Sequence, residues 1–304
     1  MIDARVWWSW RAPALAIALL AGCGGSVPGG AGAGPMAAEA AARGEAAFYD
    51  TLFGRADRSD ESVALLQDAT AKNGRDGRSY FLLGMMHLFR FSQNVTDRHN
   101  VSAPLKQEID AAQAALDAAV PLLPADRRVP GFRAAATYTA GVINDDPQRS
   151  ARGLSQLREA IALYPEFNNF DFIGAVAPVV PPDDPLFQEV LQYVGDPLSG
   201  ACTPFDQPQI CGNLGKAPHN VEGALVLFGD LFAKAGDRIR AAFYYRLSMT
   251  AYPTTGGPWR FAELAEERLQ SVAQRVALYK DDDPTNDPPL LGSGREACAV
   301  CHFE

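Results

Sequence analysis

Apolar residues recur at helical spacing along most of this chain, from about Ala37 to about Lys280. These segments are rich in Ala, Leu, Arg and Glu, which favour helix. Strand patterns are weak, because no Asn-Gly or Asp-Gly turn lies between alternating apolar runs. The pattern therefore predicts an all-α protein whose helical domain covers residues 37–280.

A repeated arrangement of small and bulky residues predicts that the helices pack in pairs. The clearest copy is Leu225-x-x-Phe228-Gly229-x-x-Phe232, then Ala241-x-x-x-Tyr245, then Pro253. Two weaker copies are Thr137-x-x-Ala140-Gly141-x-x-Asn144 with Gly153-x-x-x-Leu157 and Pro165, and Tyr80-x-x-Leu83-Gly84-x-x-His87 with Ala112-x-x-x-Leu116 and Pro124. Small residues allow two helices to approach closely, and proline ends the second helix. The arrangement resembles the tetratricopeptide repeat over about half of the chain. This resemblance implies antiparallel helical hairpins stacked as a superhelix.

The copies do not recur at a fixed period, so we expect inserts between them. Residues 91–106 are predicted to interrupt one helical pair, and residues 166–220 to separate two others. A fainter pair covers residues 40–73, and residues 260–279 read as a terminal capping helix.

The second insert, residues 166–220, is predicted to be largely irregular. Prolines at 181, 182 and 185 exclude a helix there, and one short helix is expected over Leu186 to Val194. Cys202 and Cys211 flank a short Pro-rich loop, and a disulfide between them would pin this segment. The insert is either part of a binding face or a surface loop stapled against proteases.

The N-terminus has the features of an export signal. Arg5 and Arg11 precede a short apolar run over residues 12–21, which is too short to span a bilayer. The run ends in Leu20-Ala21-Gly22-Cys23, which resembles the lipobox of bacterial lipoproteins. The resemblance implies that residues 1–22 are a signal peptide, that Cys23 is lipidated, and that residues 23–36 form a flexible tether. Gly24 after the cysteine implies the outer membrane, facing either the periplasm or the cell surface. The alternative is an ordinary signal peptide with an unrelated cysteine.

Cys298-Ala299-Val300-Cys301-His302 carries the chemistry of the chain. Cys-x-x-Cys-His is the attachment signature of c-type haem, in which the two thiols bond to the porphyrin and the histidine binds the iron. The segment resembles the opening of a cytochrome c, although no cytochrome fold follows. We therefore predict one covalent haem c on Cys298 and Cys301, with His302 as an axial ligand. A zinc site, a thioredoxin-type pair and a plain disulfide are the alternatives.

The last part of the chain, residues 281–304, forms an acidic, proline-containing segment that we call the C-terminal arm. It is predicted to be mobile or extended, so that the haem either folds back onto the helical body or reaches a neighbouring redox protein. The first candidate for the sixth iron ligand is His219. Weaker candidates are His99, His87 and Met85, and a partner ligand or an open position are further alternatives.

The net charge limits the class of partner, and the cysteine content limits the cellular compartment. The 304 residues carry a net charge of −9, which argues against nucleic acid as a partner. The five cysteines divide into one lipid site, one disulfide and one haem site, all of which belong outside the cytoplasm.

Three functions fit these features. The first is an electron-transfer lipoprotein whose helical groove binds a redox partner, and which is a carrier with no catalytic residues. The second is a scaffold or assembly lipoprotein that binds a protein segment without redox turnover. The third is a haem enzyme such as a peroxidase.

Overall fold

The computed structural model describes residues 34–95, 100–199, 221–250, 261–281 and 283–291. Within these ranges the chain is helical and has no β-strand, which confirms the predicted all-α class. The helices are α1 Pro35–Leu52, α2 Ser59–Lys72, α3 Gly77–Asn94, α4 Ala103–Ala119, α5 Val129–Ile143, α6 Pro147–Leu163, α7 Pro165–Val176, α8 Pro185–Ser199, α9 Val221–Lys234, α10 Arg238–Thr250, α11 Ala262–Gln270 and α12 Val272–Leu278. Two short 3-10 turns cover Val120–Leu122 and Pro284–Asn286.

Consecutive helices pack in pairs, as the repeated arrangement predicted. The most extensive packing joins α1 with α2, α3 with α4, α5 with α6, and α9 with α10. Successive pairs then contact each other, since α2 packs on α3 and α4 on α5. The body is therefore a stack of helix pairs.

Glycines lie where the paired helices approach most closely. Gly229 of α9 packs on the ring of Tyr245, and a Cβ at Gly84 of α3 would lie 2.6 Å from Cγ of Leu116 on α4. Gly153 of α6 lies against the backbone of Tyr138 on α5. These contacts explain why small residues recur at these positions in the sequence.

The buried side chains form two clusters that meet at α5. The first contains side chains of α1 to α5, including Leu66, Met86 and Leu116. The second runs from α5 to α12 and includes Phe172 and Phe187. Leu290 and Leu291 of the C-terminal arm belong to the second cluster, so the arm contributes to the core.

The prediction that residues 166–220 form a largely irregular insert was wrong for its first part. Residues 165–199 contain α7 and α8, and Phe172 of α7 and Phe187 of α8 are buried in the second cluster. Helix α8 includes the short helix expected over Leu186 to Val194 but is longer. Pro165 was interpreted only as the end of α6. It is also the first residue of α7, where its missing N–H costs no helical hydrogen bond. Cys202 and Cys211 lie outside the described residues.

Two other predicted boundaries differ from the structure. The interruption between α3 and α4 is shorter than residues 91–106, because α3 continues to Asn94 and α4 begins at Ala103. The predicted capping helix over residues 260–279 is two helices, α11 and α12, that meet at Ser271. No helix within the described ranges is both long enough and apolar enough to cross a bilayer.

Gly153→Ala should destabilise the fold, because the added methyl group would overlap the backbone of Tyr138 and separate α5 from α6. We expect a loss of about 1–3 kcal/mol in the free energy of unfolding, measured by urea denaturation. Gly174→Ala in α7 is the matched control, because its added methyl group meets no atom within 4 Å. The control should gain up to about 1 kcal/mol from helix propensity. Equal effects of the two substitutions would contradict this packing.

Candidate functional site

Most of the residues that the sequence analysis singled out lie outside the described ranges. They are Cys23, His99, Cys202, Cys211, His219, Cys298, Cys301 and His302. Met85 and His87, two of the weaker candidates for iron ligation, are described. Among the described residues no group of three or more His, Cys, Asp or Glu side chains is placed to hold a metal ion.

His87 lies on α3 and is buried against the first cluster of core residues. Its Nδ1 is 2.6 Å from Oε2 of Glu108 on α4, and Nη2 of Arg90 is 2.9 Å from the other oxygen of that carboxylate. Met85 is half-buried and packs against the same cluster. His87 is thus one member of a bonded His-Glu-Arg group between α3 and α4.

The C-terminal arm lies on the helical body over residues 288–291. The hydroxyl of Tyr279 donates to the carbonyl of Pro288 at 2.5 Å, and Arg275 donates to the carbonyl of Pro289 at 3.1 Å. The side chains of Leu290 and Leu291 are only 5 % and 6 % exposed. Residues 288–291 are therefore held on the helical body by hydrogen bonds to their backbone and by the burial of two leucines.

The anchor is centred on Asp230, a fully buried residue of α9. Its Oδ1 accepts hydrogen bonds from the hydroxyl of Tyr245 at 2.7 Å and from Arg275 at 3.1 Å. Its Oδ2 accepts from Arg268 and, at 2.7 Å, from the backbone N–H of Leu291. We call Asp230, Tyr245, Arg268, Arg275 and Tyr279 the Asp230 cluster.

This arrangement satisfies a charge that would otherwise be very unfavourable inside the protein. A buried carboxylate is tolerated only when it is paired and hydrogen-bonded, and Asp230 has two guanidinium partners and two further donors. Burial, together with the negative charge of Asp230, raises the pKa of both Tyr245 and Tyr279. Both phenols therefore keep their protons and remain hydrogen-bond donors.

The contacts also give the direction of the arm along α9. Lys280, the residue before the arm, lies beside Gly236, just after the C-terminal end of α9. Eleven positions later, Leu291 lies beside Asp230 in the middle of that helix. The arm therefore runs toward the N-terminal end of α9. Val221, which begins α9, is about 13–14 Å from Asp230 along the helix axis at 1.5 Å per residue.

Chain length limits how far the attachment motif can lie from this anchor. Seven residues lead from Leu291 to Cys298, which corresponds to at most about 25 Å of extended chain. Cys298 is thus within that radius of the anchored end of the arm, whatever path the chain follows.

The Asp230 cluster was not predicted from the sequence. One signal was present, because Asp230 stands between Gly229 and Phe232 in the clearest copy of the repeat, where neighbouring positions pack against the next helix. A charged residue at such a position indicates a buried partner. Arg268 and Arg275 are seven residues apart and are the partners on α11 and α12.

A second buried polar group lies between α5 and α7. Oδ1 of Asn168 and Oδ2 of Asp171 are buried, have no partner among the described residues, and both lie against Gly131. Burial raises the pKa of Asp171 well above its usual range. A protonated Asp171 would carry a donor for Asn168 Oδ1, whose amide nitrogen already donates to the carbonyls of Arg127 and Ala160.

One surface of the described chain exposes large apolar side chains beside a cleft. Ile239 and Phe243 of α10 are 83 % and 53 % exposed, and they are one helical turn apart. The cleft, of about 530 Å³, is lined by Gln188 and Leu191 of α8 and by residues 235–240. Arg238 and Arg240 are exposed at its edge, and Arg240 pairs with Asp237 of the same lining.

Comparison of the chain with protein-family models, with curated proteins and with solved structures gives no match.

Asp171→Asn should stabilise the protein at neutral pH. The folded state holds the Asp171 proton more tightly than the unfolded chain, so the free energy of unfolding should fall as pH rises above about 4 toward the folded pKa. Asparagine is neutral at every pH and should remove this fall. Denaturation of both proteins across pH 4 to pH 8 measures the difference.

Glu189→Gln is the control, because its effect on the free energy of unfolding should depend on pH in the opposite direction. A hydrogen bond from Arg158 lowers the pKa of Glu189, so its contribution is present at neutral pH and is lost as pH falls through the folded pKa. This variant should be less stable than the wild type at pH 7, with the difference vanishing in acid. An unchanged pH profile in Asp171→Asn would show that Asp171 is not a buried acid.

Asp230→Asn should be strongly destabilising, because it leaves Arg268 and Arg275 without a counter-charge inside the protein. We expect a loss of about 3–5 kcal/mol in the free energy of unfolding. Asp237→Asn is the matched control, since Asp237 pairs with Arg240 on the surface. The control should cost no more than about 1 kcal/mol. Similar losses in both variants would contradict the central role of Asp230.

Proposed function

We propose that the protein is an exported, membrane-anchored electron carrier with one covalent haem c at its C-terminus. The observation that carries the proposal is the position of the Cys298-x-x-Cys301-His302 motif, seven residues beyond an arm that is anchored on the helical body. Lipidation of Cys23 would attach the protein to the membrane, and we favour the outer membrane. The stack of helix pairs would form a tetratricopeptide-like superhelix that binds the redox partner.

The donor set fits a c-type haem. Cys298 and Cys301 would hold the porphyrin through two thioether bonds, and His302 would bind the iron. The group supplies reversible one-electron transfer when it is bound. A porphyrin is largely apolar and is unfavourable in water, so it requires protein cover. Because at most about 25 Å of chain separates Leu291 from Cys298, the helical body would be within reach to supply that cover.

His219 remains the first candidate for the sixth ligand, and the direction of the arm supports this choice. His219 precedes the first residue of α9 by two positions, and the arm runs toward that end of the helix. His87 is less suited, because its side chain is buried and its Nδ1 is bonded to Glu108. His99 and Met85 belong to the same α3–α4 region of the chain. A disulfide between Cys202 and Cys211 would constrain the segment that leads to His219.

The second candidate function is a scaffold that binds a protein segment without redox turnover. The exposed Ile239 and Phe243 beside the cleft favour it, because exposed apolar side chains grouped at a cleft are typical of interaction sites. If the protein is an electron carrier, the same surface around Ile239, Phe243 and the cleft would be the candidate for binding the redox partner. The two functions differ in one property, which is whether the protein carries haem.

The electron carrier requires that the protein be coloured when it is produced in a host that attaches c-type haem. We expect a pyridine haemochrome spectrum of haem c with two thioether bonds, and no such spectrum from the Cys298→Ser/Cys301→Ser variant. A colourless wild-type protein from that host would leave the scaffold as the function.

His219→Ala tests the sixth ligand in the same material. We expect the low-spin visible spectrum of the wild type to become high-spin or to change its ligand signature. His99→Ala is the matched control and should leave the spectrum unchanged. The reverse result would make His99 the ligand, and no change in either variant would exclude both histidines.

A further inference from the structure

We propose that the Asp230 cluster is a positioning device that anchors the C-terminal arm and confines the haem attachment motif to a limited distance from Leu291. This inference rests on the proposed haem attachment and concerns how the haem is held. Of the two arrangements that the acidic, proline-containing sequence left open, it favours the one in which the haem folds back onto the helical body. Electron exchange would then take place within reach of the anchored end of the arm, and the partner would have to come to that region.

Several independent hydrogen bonds hold the arm on the helical body. Three of its backbone groups are bonded to buried or half-buried side chains: the carbonyls of Pro288 and Pro289, and the N–H of Leu291. Such specific backbone bonds fix the register of the arm, since a shift by one residue would break all three. Proline at 288 and 289 further restricts the arm to an extended backbone.

Apolar burial also holds the end of the anchored part. Leu290 and Leu291 are each more than nine-tenths buried in the second cluster. Pulling the arm away would expose both side chains and would leave Asp230 without one of its four donors. The anchored arm is therefore favoured over a released arm by both packing and hydrogen bonding.

The length of chain that remains beyond the anchor is short. Only six residues, 292–297, lie between Leu291 and Cys298. A free arm from Lys280 would have 17 residues before the motif, and a flexible chain of that length samples about 20–25 Å on average. Anchoring at Leu291 reduces the free length to about a third, so the motif samples a much smaller volume.

Leu290→Ser/Leu291→Ser should release the arm without leaving a buried charge unpaired. Thr285→Ser/Asn286→Ser is the matched control, because both residues are exposed and lie on the same arm. Tyr279→Phe is a milder variant that removes only the bond to Pro288 and keeps the packed ring. Circular dichroism first establishes that each variant is folded.

The first readout needs no haem. In the Cys298→Ser/Cys301→Ser background, exchange of the Leu291 amide hydrogen should be at least about 100-fold slower than in an unstructured peptide. Leu290→Ser/Leu291→Ser should abolish this protection of the arm, Tyr279→Phe should reduce it, and the matched control should keep it. Rapid exchange at Leu291 in the background protein would overturn the proposal.

The second readout follows the haem through Trp259. After removal of residues 1–22, Trp259 is the single tryptophan of the chain, and haem quenches its fluorescence according to distance. The wild type should show a narrow distribution of lifetimes, whereas Leu290→Ser/Leu291→Ser should show a broader one, because the distance between the haem and Trp259 would then vary more. Identical decays in these two haem-loaded proteins would overturn the positioning role. If mass spectrometry finds no haem in any of the proteins, the proposed function fails, and exchange at Leu291 still decides whether the arm is anchored.

Discussion

The buried carboxylate of Asp230 is the interaction on which the C-terminal half of the structure depends. It joins α9 to Tyr245 on α10, to Arg268 on α11, to Arg275 on α12 and to the backbone of the arm. A charge of this kind costs several kcal/mol to bury unless all of its partners are present. The four helices and the arm are therefore held in one arrangement, and the position of the arm is part of the fold.

This constraint would have a direct consequence if the protein carries the proposed haem. A porphyrin needs apolar cover, which here has to come from the helical body, from a partner or from both. An anchored arm would keep the motif within reach of the body, whereas a free arm would expose the ring to water more often. If Cys23 is lipidated, the helical domain would lie between the membrane anchor and the redox centre along the chain. The helix pairs would then act both as a spacer and as a docking surface.

The sequence predicted the elements that depend on local spacing. The helix pairs follow from small residues such as Gly84 and Gly229, because close approach requires them wherever the pairs lie in the chain. Helix α7 was missed, because Pro165 was interpreted only as the end of a helix, although proline also suits the first turn of the next one. Helix α8 covers the short helix expected over Leu186 to Val194 and is longer than predicted.

The Asp230 cluster was missed for a different reason. Its members come from α9, α10, α11 and α12, and no spacing rule relates a carboxylate to arginines 38 and 45 positions away. The anchoring of the arm could not be predicted either, because acidic residues and prolines are typical of free linkers. Only Leu290 and Leu291 indicate that part of the arm is buried. The haem motif, in contrast, is local in sequence and could be predicted in full as a hypothesis, because its chemistry requires a fixed spacing of thiols and imidazole.

The central claim is that the last residues of the chain carry an iron porphyrin, and the intact mass of the mature protein tests it most directly. After production in a host that attaches c-type haem, we expect the mass of the lipidated polypeptide plus one haem, with the added mass on the peptide that contains Cys298 and Cys301. A polypeptide mass without haem, with these two cysteines free or joined as a disulfide, would contradict the account.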